Sequence, residues 1–275
     1  MTRWRLLACA LAVLAAGSVT ASAPQKVTKG THCPHRIVTA HFVIEFSVPA
    51  EMGSEYAGLC EKAYRKLHDL FPLRDGEKVW EEHCYIILFA THGEFLRFAA
   101  TIHGRTAAHS GGYTSINRKR PLIVLFLHNN DHTLLKQTLI HEMTHVFLGL
   151  FRAEGHINTW LHEGFAQYFE FQHKPERSRR GLWLKVVKAM VAQGRTVPLA
   201  RFWRAQFPPT DAASYAQAWS LVDFMASSKS LRRRTGRFIV RLKEGKSQEQ
   251  ALREAFGASL TEFEAAWKQY VLKSY

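Results

Sequence analysis

Five consecutive residues, His141-Glu142-Met143-Thr144-His145, set two imidazoles and a carboxylate in the HExxH pattern. On a helix, residues four apart share a face, so both rings can reach one metal ion. Glu142 lies at a neighbouring azimuth, where it can take a proton from water at that metal. A catalytic zinc site needs a third protein ligand and an open fourth position for the water. Glu163 is the candidate, within Trp160-Leu161-His162-Glu163-Gly164-Phe165-Ala166-Gln167-Tyr168-Phe169-Glu170. It qualifies only if a second helix packs against the first. His156 is a weaker rival for the third position and reads as a loop histidine.

Glu170 follows Glu163 by seven residues and shares its helical face. It can accept a hydrogen bond from a ligand imidazole and set the ring's tautomer, or form a surface ion pair. His162 adjoins Glu163 but points to another side of a helix, which makes it peripheral.

Positioning these groups requires two packed helices and a support for them. Residues 133–150 carry a long helical pattern that ends near Gly149 and Gly155. Thr159 is expected to cap a second helix reaching about residue 172. Ahead of them, residues 37–48 read as one strand ended by Pro49, and residues 51–70 as a helix that stops before Pro72. Residues 84–90 form a buried-strand pattern, 93–102 a short helix, and 111–116 and 122–127 two further extended pieces. His128, His132 and the Asn129-Asn130-Asp131 turn connect the last strand to the HExxH helix and cap it. Downstream, helices are expected near residues 176–193, 212–227 and 235–244. Ser259 with Glu262 makes a capping box for a last helix, whose face of Phe263, Trp267 and Tyr270 is core. Strands dominate the first half and helices the second, an α+β layout with a cleft where the halves meet.

The two segments together resemble the gluzincin zinc metallopeptidases, in particular the aminopeptidase N branch of the broad peptidase MA-like group. There a tryptophan-leucine-x-glutamate-glycine segment, here Trp160 to Gly164, provides the third ligand. The resemblance implies a zincin-like fold, a Zn2+ ion held by His141, His145 and Glu163, and Glu142 as general base and proton shuttle. It also implies that residues 112–116 form a sheet edge that pairs with an extended substrate by strand addition. It places Tyr215, in Ser214-Tyr215-Ala216, where relatives carry a tyrosine that donates to the oxyanion. The alternative for Tyr215 is a core-anchoring ring with its hydroxyl at the surface. Two departures stand out. The spacing between His145 and Glu163 is one residue shorter than in the aminopeptidase N pattern, which the loop through Gly155 can absorb. The glycine-x-methionine-glutamate-asparagine segment that captures a free N-terminus is missing, so endopeptidase rather than aminopeptidase activity is expected.

The 275 residues suffice for one sizeable domain or two lobes sharing a cleft. Arg3 and Arg5, the apolar run 6–16 and Ala21-Ser22-Ala23 read as a signal peptide over residues 1–23, with Pro24 at or near the mature start. The run is too short for a stable membrane anchor. Residues 24–275 then form one metallopeptidase domain, with a sheet-containing lobe at 24–130 and a helical lobe at 131–275. The signal points to a secreted or periplasmic, cell-envelope-associated protein. Its removal takes Cys9 and leaves Cys33, Cys60 and Cys84, so one disulfide and one buried free thiol are expected. The cysteine spacing suits no cysteine-ligated zinc. A net charge of +14 suits residence near anionic cell-envelope material, although a solvated basic surface is the plainer reading. No nucleic-acid motif accompanies the charge, and nucleic acid is not an expected partner.

The expectation is therefore a secreted zinc peptidase acting on peptide or protein substrates. The alternatives are a zincin-fold binding module and a cell-wall amidase. The intact Glu142 argues against a pure binding module, which has no need of a free carboxylate beside its metal.

Overall fold

The computed structural model describes residues 31–71, 73, 76–103, 112–152, 155, 157–173, 180–204 and 211–275. The signal segment and Pro24, Pro72, Gly111, His156 and the expected helix start near residue 176 lie outside the described residues. The chain divides into two compact units, one comprising the chain up to Glu61 and Trp80–Leu139, the other Lys62–Val79 and Ile140–Tyr275. Mixed α+β structure is what the residue patterns predicted, and it accords with a zincin-like fold.

The first unit is built on a five-stranded sheet. β1 (His35–Val38) and β2 (Phe42–Phe46) are antiparallel, and a 3-10 turn at Ala50–Met52 leads into α1 (Gly53–Leu70). β3 (Cys84–Phe89) follows, then α2 (His92–His103), β4 (Gly112–Ser115) and β5 (Leu122–Phe126). The strand order is β1-β2-β3-β5-β4, with β2, β3 and β5 parallel and β4 antiparallel at one end. β3 and β5 are nearly continuous apolar runs, as suits buried parallel strands, while β2 carries one buried acid, Glu45, whose Oε2 accepts from His32 N at 3.1 Å. Against them Cys33, Ile87, Phe89, Phe95 and Val124 form a buried cluster with α2.

Residues 37–48 do not form the single strand expected. The run breaks at Thr39, whose Oγ1 accepts from Phe42 N at 3.2 Å while its own N donates to Phe42 O at 2.9 Å. A threonine closes this hairpin without glycine or proline, so the turn left no usual mark in the sequence. The expected disulfide is absent too: Cys33, Cys60 and Cys84 are all free and buried. Burial first, then the charges of Glu45 and Glu94, push the Cys33 thiol up to about 12. Burial likewise raises Cys60 and Cys84. Thiols so poor in thiolate are inert packing groups.

α3 (His132–Leu150) begins after two left-handed residues, Asn129 (φ 49°) and Asn130 (φ 56°), a conformation that asparagine tolerates. Asp131 then caps it, accepting from Leu134 N at 2.9 Å. The regular structure described after α3 is all helical: α4 (Thr159–Phe171), α5 (Arg180–Ala192), α6 (Leu199–Phe202), α7 (Ala212–Ala226), α8 (Lys229–Lys243), α9 (Gln248–Phe256) and α10 (Leu260–Ser274). α7 is buried from Ala216 to Ala226 and packs against α4, α5, α8 and α10. Among the described residues no helix is long and apolar enough to cross a membrane.

Some helix boundaries differ from expectation. Asn158, not Thr159, precedes α4, and its side chain caps nothing because its amide donates to Trp203 O at 3.3 Å. α8 starts at Lys229 rather than 235, set by Ser228, whose side chain accepts from Leu231 N; the basic residues of 229–234 dilute the apolar periodicity and hide this first part of the helix in the sequence. α6 and α9 were not anticipated. α6 is a single turn, and α9 opens with a Ser247–Gln250 capping box that sits between charged stretches. The Ser259–Glu262 box does open α10, whose Phe263 and Trp267 are core.

Candidate metal centre

The HExxH helix is held at both ends and along its back. Behind it Phe147 and Phe151 pack with Phe71, which meets Phe165 of α4 edge-on at 5.0 Å. At its C-terminal end Lys243 Nζ donates to Gly149 O and Phe151 O, both at 2.9 Å, supplying partners for terminal carbonyls. Facing it, α4 spreads Trp160 to Phe165 around its circumference. Trp160 stacks on Trp203 at 5.3 Å and 8°. Gly164 lies so close to α7 that a Cβ there would sit 2.7 Å from Ala218 O. Any larger residue would force α4 and α7 apart and displace Glu163 with them.

The packing buries three groups together. His141, His145 and Glu163 are 8%, 3% and 5% exposed, and one ligand atom from each lies within 4.8 Å of the others. His141 Nε2 stands 3.6 Å from Glu163 Oε2, and His145 Nε2 stands 3.6 Å from Glu163 Oε1. Donors about 2.0–2.2 Å from a tetrahedral ion stand roughly 3.3–3.5 Å apart, so a set of two imidazoles and a carboxylate at this spacing fits zinc. These separations are also too long for good hydrogen bonds, leaving the Glu163 oxygens without a donor from either ring.

The outer nitrogens are engaged separately. His141 Nδ1 lies 3.3 Å from Glu170 Oε2, and Gln167 Nε2 donates to the same oxygen at 3.0 Å. A proton on Nδ1 pointing at Glu170 leaves Nε2 with its lone pair turned to Glu163, the tautomer a metal requires. Of the two roles open for Glu170, the structure therefore selects the imidazole partner. His162 is not peripheral: its Nδ1 lies 3.5 Å from His145 Nδ1, with ring centroids 5.5 Å apart. Gln167, four residues after Glu163 and three before Glu170, went unremarked in the sequence, although the helical period places all three on one face.

Electrostatics point the same way. Burial by itself depresses the His141 pKa, but the hydrogen bond to Glu170 and the charges of Glu163, Glu170 and Glu142 outweigh it and push it up to about 9. His145 falls well below its ordinary value through burial and the proximity of His141 and His162. Burial raises Glu163; His141 opposes this, while Glu142 and Glu170 add to it. The centre holds surplus negative charge that one proton on His141 offsets only in part. A divalent cation suits that balance better.

Glu142 is half-buried. Tyr215 is half-buried in the first turn of α7, the helix packed on α4. Among the described residues β4 (Gly112–Ser115) is an edge strand of the sheet in the first unit, within the segment 112–116 expected to form a sheet edge.

The sequence matches the profile of the peptidase MA superfamily over residues 109–273. No curated protein matches the chain.

Proposed function

The chain belongs to the peptidase MA superfamily, which makes it metallopeptidase-like, and from that premise we propose an exported, zinc-dependent endopeptidase acting on peptide or protein substrates. The observation that carries this reading is the buried convergence of His141, His145 and Glu163, with Glu142 near enough for its charge to act on His141 and Glu163.

His141, His145 and Glu163 would hold the ion, the three-donor complement that a catalytic zinc takes from protein. Zinc, when bound, supplies Lewis-acid chemistry, polarising the scissile carbonyl and lowering the pKa of water. Glu142 takes the proton of the attacking water and returns it to the leaving amine. Glu170 accepts a hydrogen bond from the Nδ1–H of His141 and so keeps Nε2 free for the ion. Tyr215 is the proposed donor to the developing oxyanion, a role consistent with its place on the helix packed against α4. β4 offers a strand edge for an extended substrate.

The Trp160 to Gly164 segment supports kinship with the aminopeptidase N branch, and the missing N-terminus-capture segment supports endo cleavage. Export rests on Arg3, Arg5, the apolar run 6–16 and Ala21-Ser22-Ala23.

Elemental analysis and a quenched-peptide library test the proposal. The purified protein should carry one zinc per chain and cleave peptides. Glu142→Gln should keep the metal and lose about 10²–10⁴-fold in kcat. Zinc without peptide cleavage would favour the binding module. Cleavage of purified cell wall alone would favour the amidase. A protein with no affinity for zinc would overturn the reading.

A further inference from the structure

Two residues of the helical unit are poorly suited to their local backbone, and both line the same cavity. Arg152, just past the end of α3, adopts φ 63°, a left-handed position that ordinarily falls to glycine or asparagine. Gly236 sits inside α8, where alanine would favour the helix. A Cβ at Gly236 would meet nothing within 4 Å, so no close neighbour demands the glycine. Local choices that contradict their own backbone are expected where function demands them. Here they place a charge at the rim and leave room in the middle of one concavity.

That concavity, about 470 Å³, lies between Phe151 and Arg152 on one side and the outer face of α8 on the other. Five arginines line it, Arg152, Arg232, Arg233, Arg237 and Arg241, against two carboxylates, Glu244 and Glu254. The carboxylates are committed to one arginine, since Arg241 contacts Glu244 at 2.7 Å and Glu254 at 2.8 Å. Arg152 Nη1 rests 3.3 Å from Glu77, with its guanidinium 5.5 Å from the Phe151 ring centroid. Arg232 donates one nitrogen to Ala226 O at 2.9 Å. Arg233 and Arg237, one turn apart and exposed, have no ion pair among the described residues. The buried face of α8 is formed by Thr235, Phe238, Ile239 and Leu242, so Arg233 and Arg237 do not hold the helix in place.

Guanidinium groups approaching one space from two chain segments suit a ligand whose oxygens point in several directions and carry more than one charge. A phosphate offers three acceptor oxygens in tetrahedral array and up to two charges, more than a planar carboxylate presents to several guanidinium forks at once. A cavity of this volume is in the range that takes a ligand larger than a single ion.

We propose that this cavity binds a ligand bearing two or more phosphate groups, held chiefly by Arg232, Arg233 and Arg237. The site is independent of the metal centre and does not rest on the peptidase reading. The phosphates can belong to a soluble oligophosphate or to a lipid headgroup, and the experiment separates these sources.

Tripolyphosphate binding to the full mature chain is measured by calorimetry. Vesicles of phosphatidylcholine, with and without the diphosphate lipid cardiolipin, are tested by co-sedimentation. The double variant Arg233→Ala/Arg237→Ala should weaken binding at least about tenfold. Gly236→Trp should fill the cavity and block binding with every arginine retained. Gly236→Ala should bind as wild type and report that the helix tolerates a side chain there. Lys229→Ala/Lys246→Ala removes equal charge from exposed positions outside the cavity and should change binding little. Loss of tripolyphosphate binding in the arginine and tryptophan variants identifies a soluble ligand. Vesicle binding alone, with the same variant pattern, identifies a headgroup. Equal weakening by the lysine pair, an unaffected arginine pair, or no binding to either probe would overturn the proposal.

Discussion

Among the described residues of the helical unit two carboxylates are buried, Glu163 on α4 and Asp223 on α7, and their surroundings differ in kind. Asp223 Oδ2 accepts hydrogen bonds from Tyr270 at 2.9 Å and Tyr275 at 3.0 Å, hydroxyls that anchor α10 and the C-terminus. Nearby Ser220 Oγ accepts from Trp267 Nε1 at 2.9 Å and lies 3.3 Å from the Tyr275 hydroxyl oxygen, to which its own proton can be donated. Glu163 faces two imidazole nitrogens at 3.6 Å, with further acidic charge from Glu142 and Glu170 close by. One carboxylate has its hydrogen bonds met by the protein. The other is arranged toward something the chain does not provide. Burial and residue type alone do not separate a structural acid from a ligand; the donors around it do.

Glu163→Gln tests this contrast most severely. Metal affinity should fall by more than the roughly 10–100-fold that changes beyond the ligands cost, as read by competition with a chromophoric chelator. In metal-free protein the same change should raise the melting temperature. The folded pKa of Glu163 lies above its unfolded value, so its ionised form opposes folding at neutral pH and an uncharged isostere relieves that opposition. A metal-free protein destabilised by Glu163→Gln would break the comparison.

Glu170→Gln should lower metal affinity by about 10–100-fold without removing the site. The ligand set stays intact while His141 loses its charged partner. Asp223→Asn should do the reverse, keeping full metal stoichiometry while costing about 1–3 kcal/mol of stability. In a chain of this size that is several degrees in a thermal melt. A change in metal content in the Asp223 variant would show that the two clusters are coupled.

The mildest case is Glu61 in the sheet unit. Burial works against its ionised form, but hydrogen bonds from Thr39 and His41 hold its carboxyl below the ordinary range. A depressed carboxylate stabilises the fold above its unfolded pKa of about 4.3, and that contribution is lost as pH falls through the folded value. Protection of the His41 amide, whose N donates to Glu61 Oε1 at 3.0 Å, measured as its exchange rate relative to the intrinsic rate at each pH, should fall in that acid range and stay unchanged from pH 5 to 8.

Local rules carried far into the sequence. The i, i+4 spacing of His141 and His145, the seven-residue step from Glu163 to Glu170, the Asp131 turn and the Ser259–Glu262 box are all local patterns. The structure places each pair or cap as its spacing requires. Reading failed where a tertiary partner competed for the local signal. Asn158 gave its amide to Trp203 and left the cap of α4 without a side chain. The closed hairpin at Thr39 used an ordinary threonine in place of glycine. His162 was misjudged because its neighbour His145 lies on a different helix, and no periodicity reports that distance.

By itself the sequence determined which residues could share a helix face, and so that two histidines and a glutamate were available to one ion. Periodicity is a property of the single chain segment, set by backbone geometry. Only the tertiary structure decided that Gly164 lets α7 close on α4, that Gln167 and Glu170 engage His141, and that Asp223 is satisfied while Glu163 is not. Those outcomes depend on which segments pack together, and close packing admits them only once every neighbouring side chain is in place.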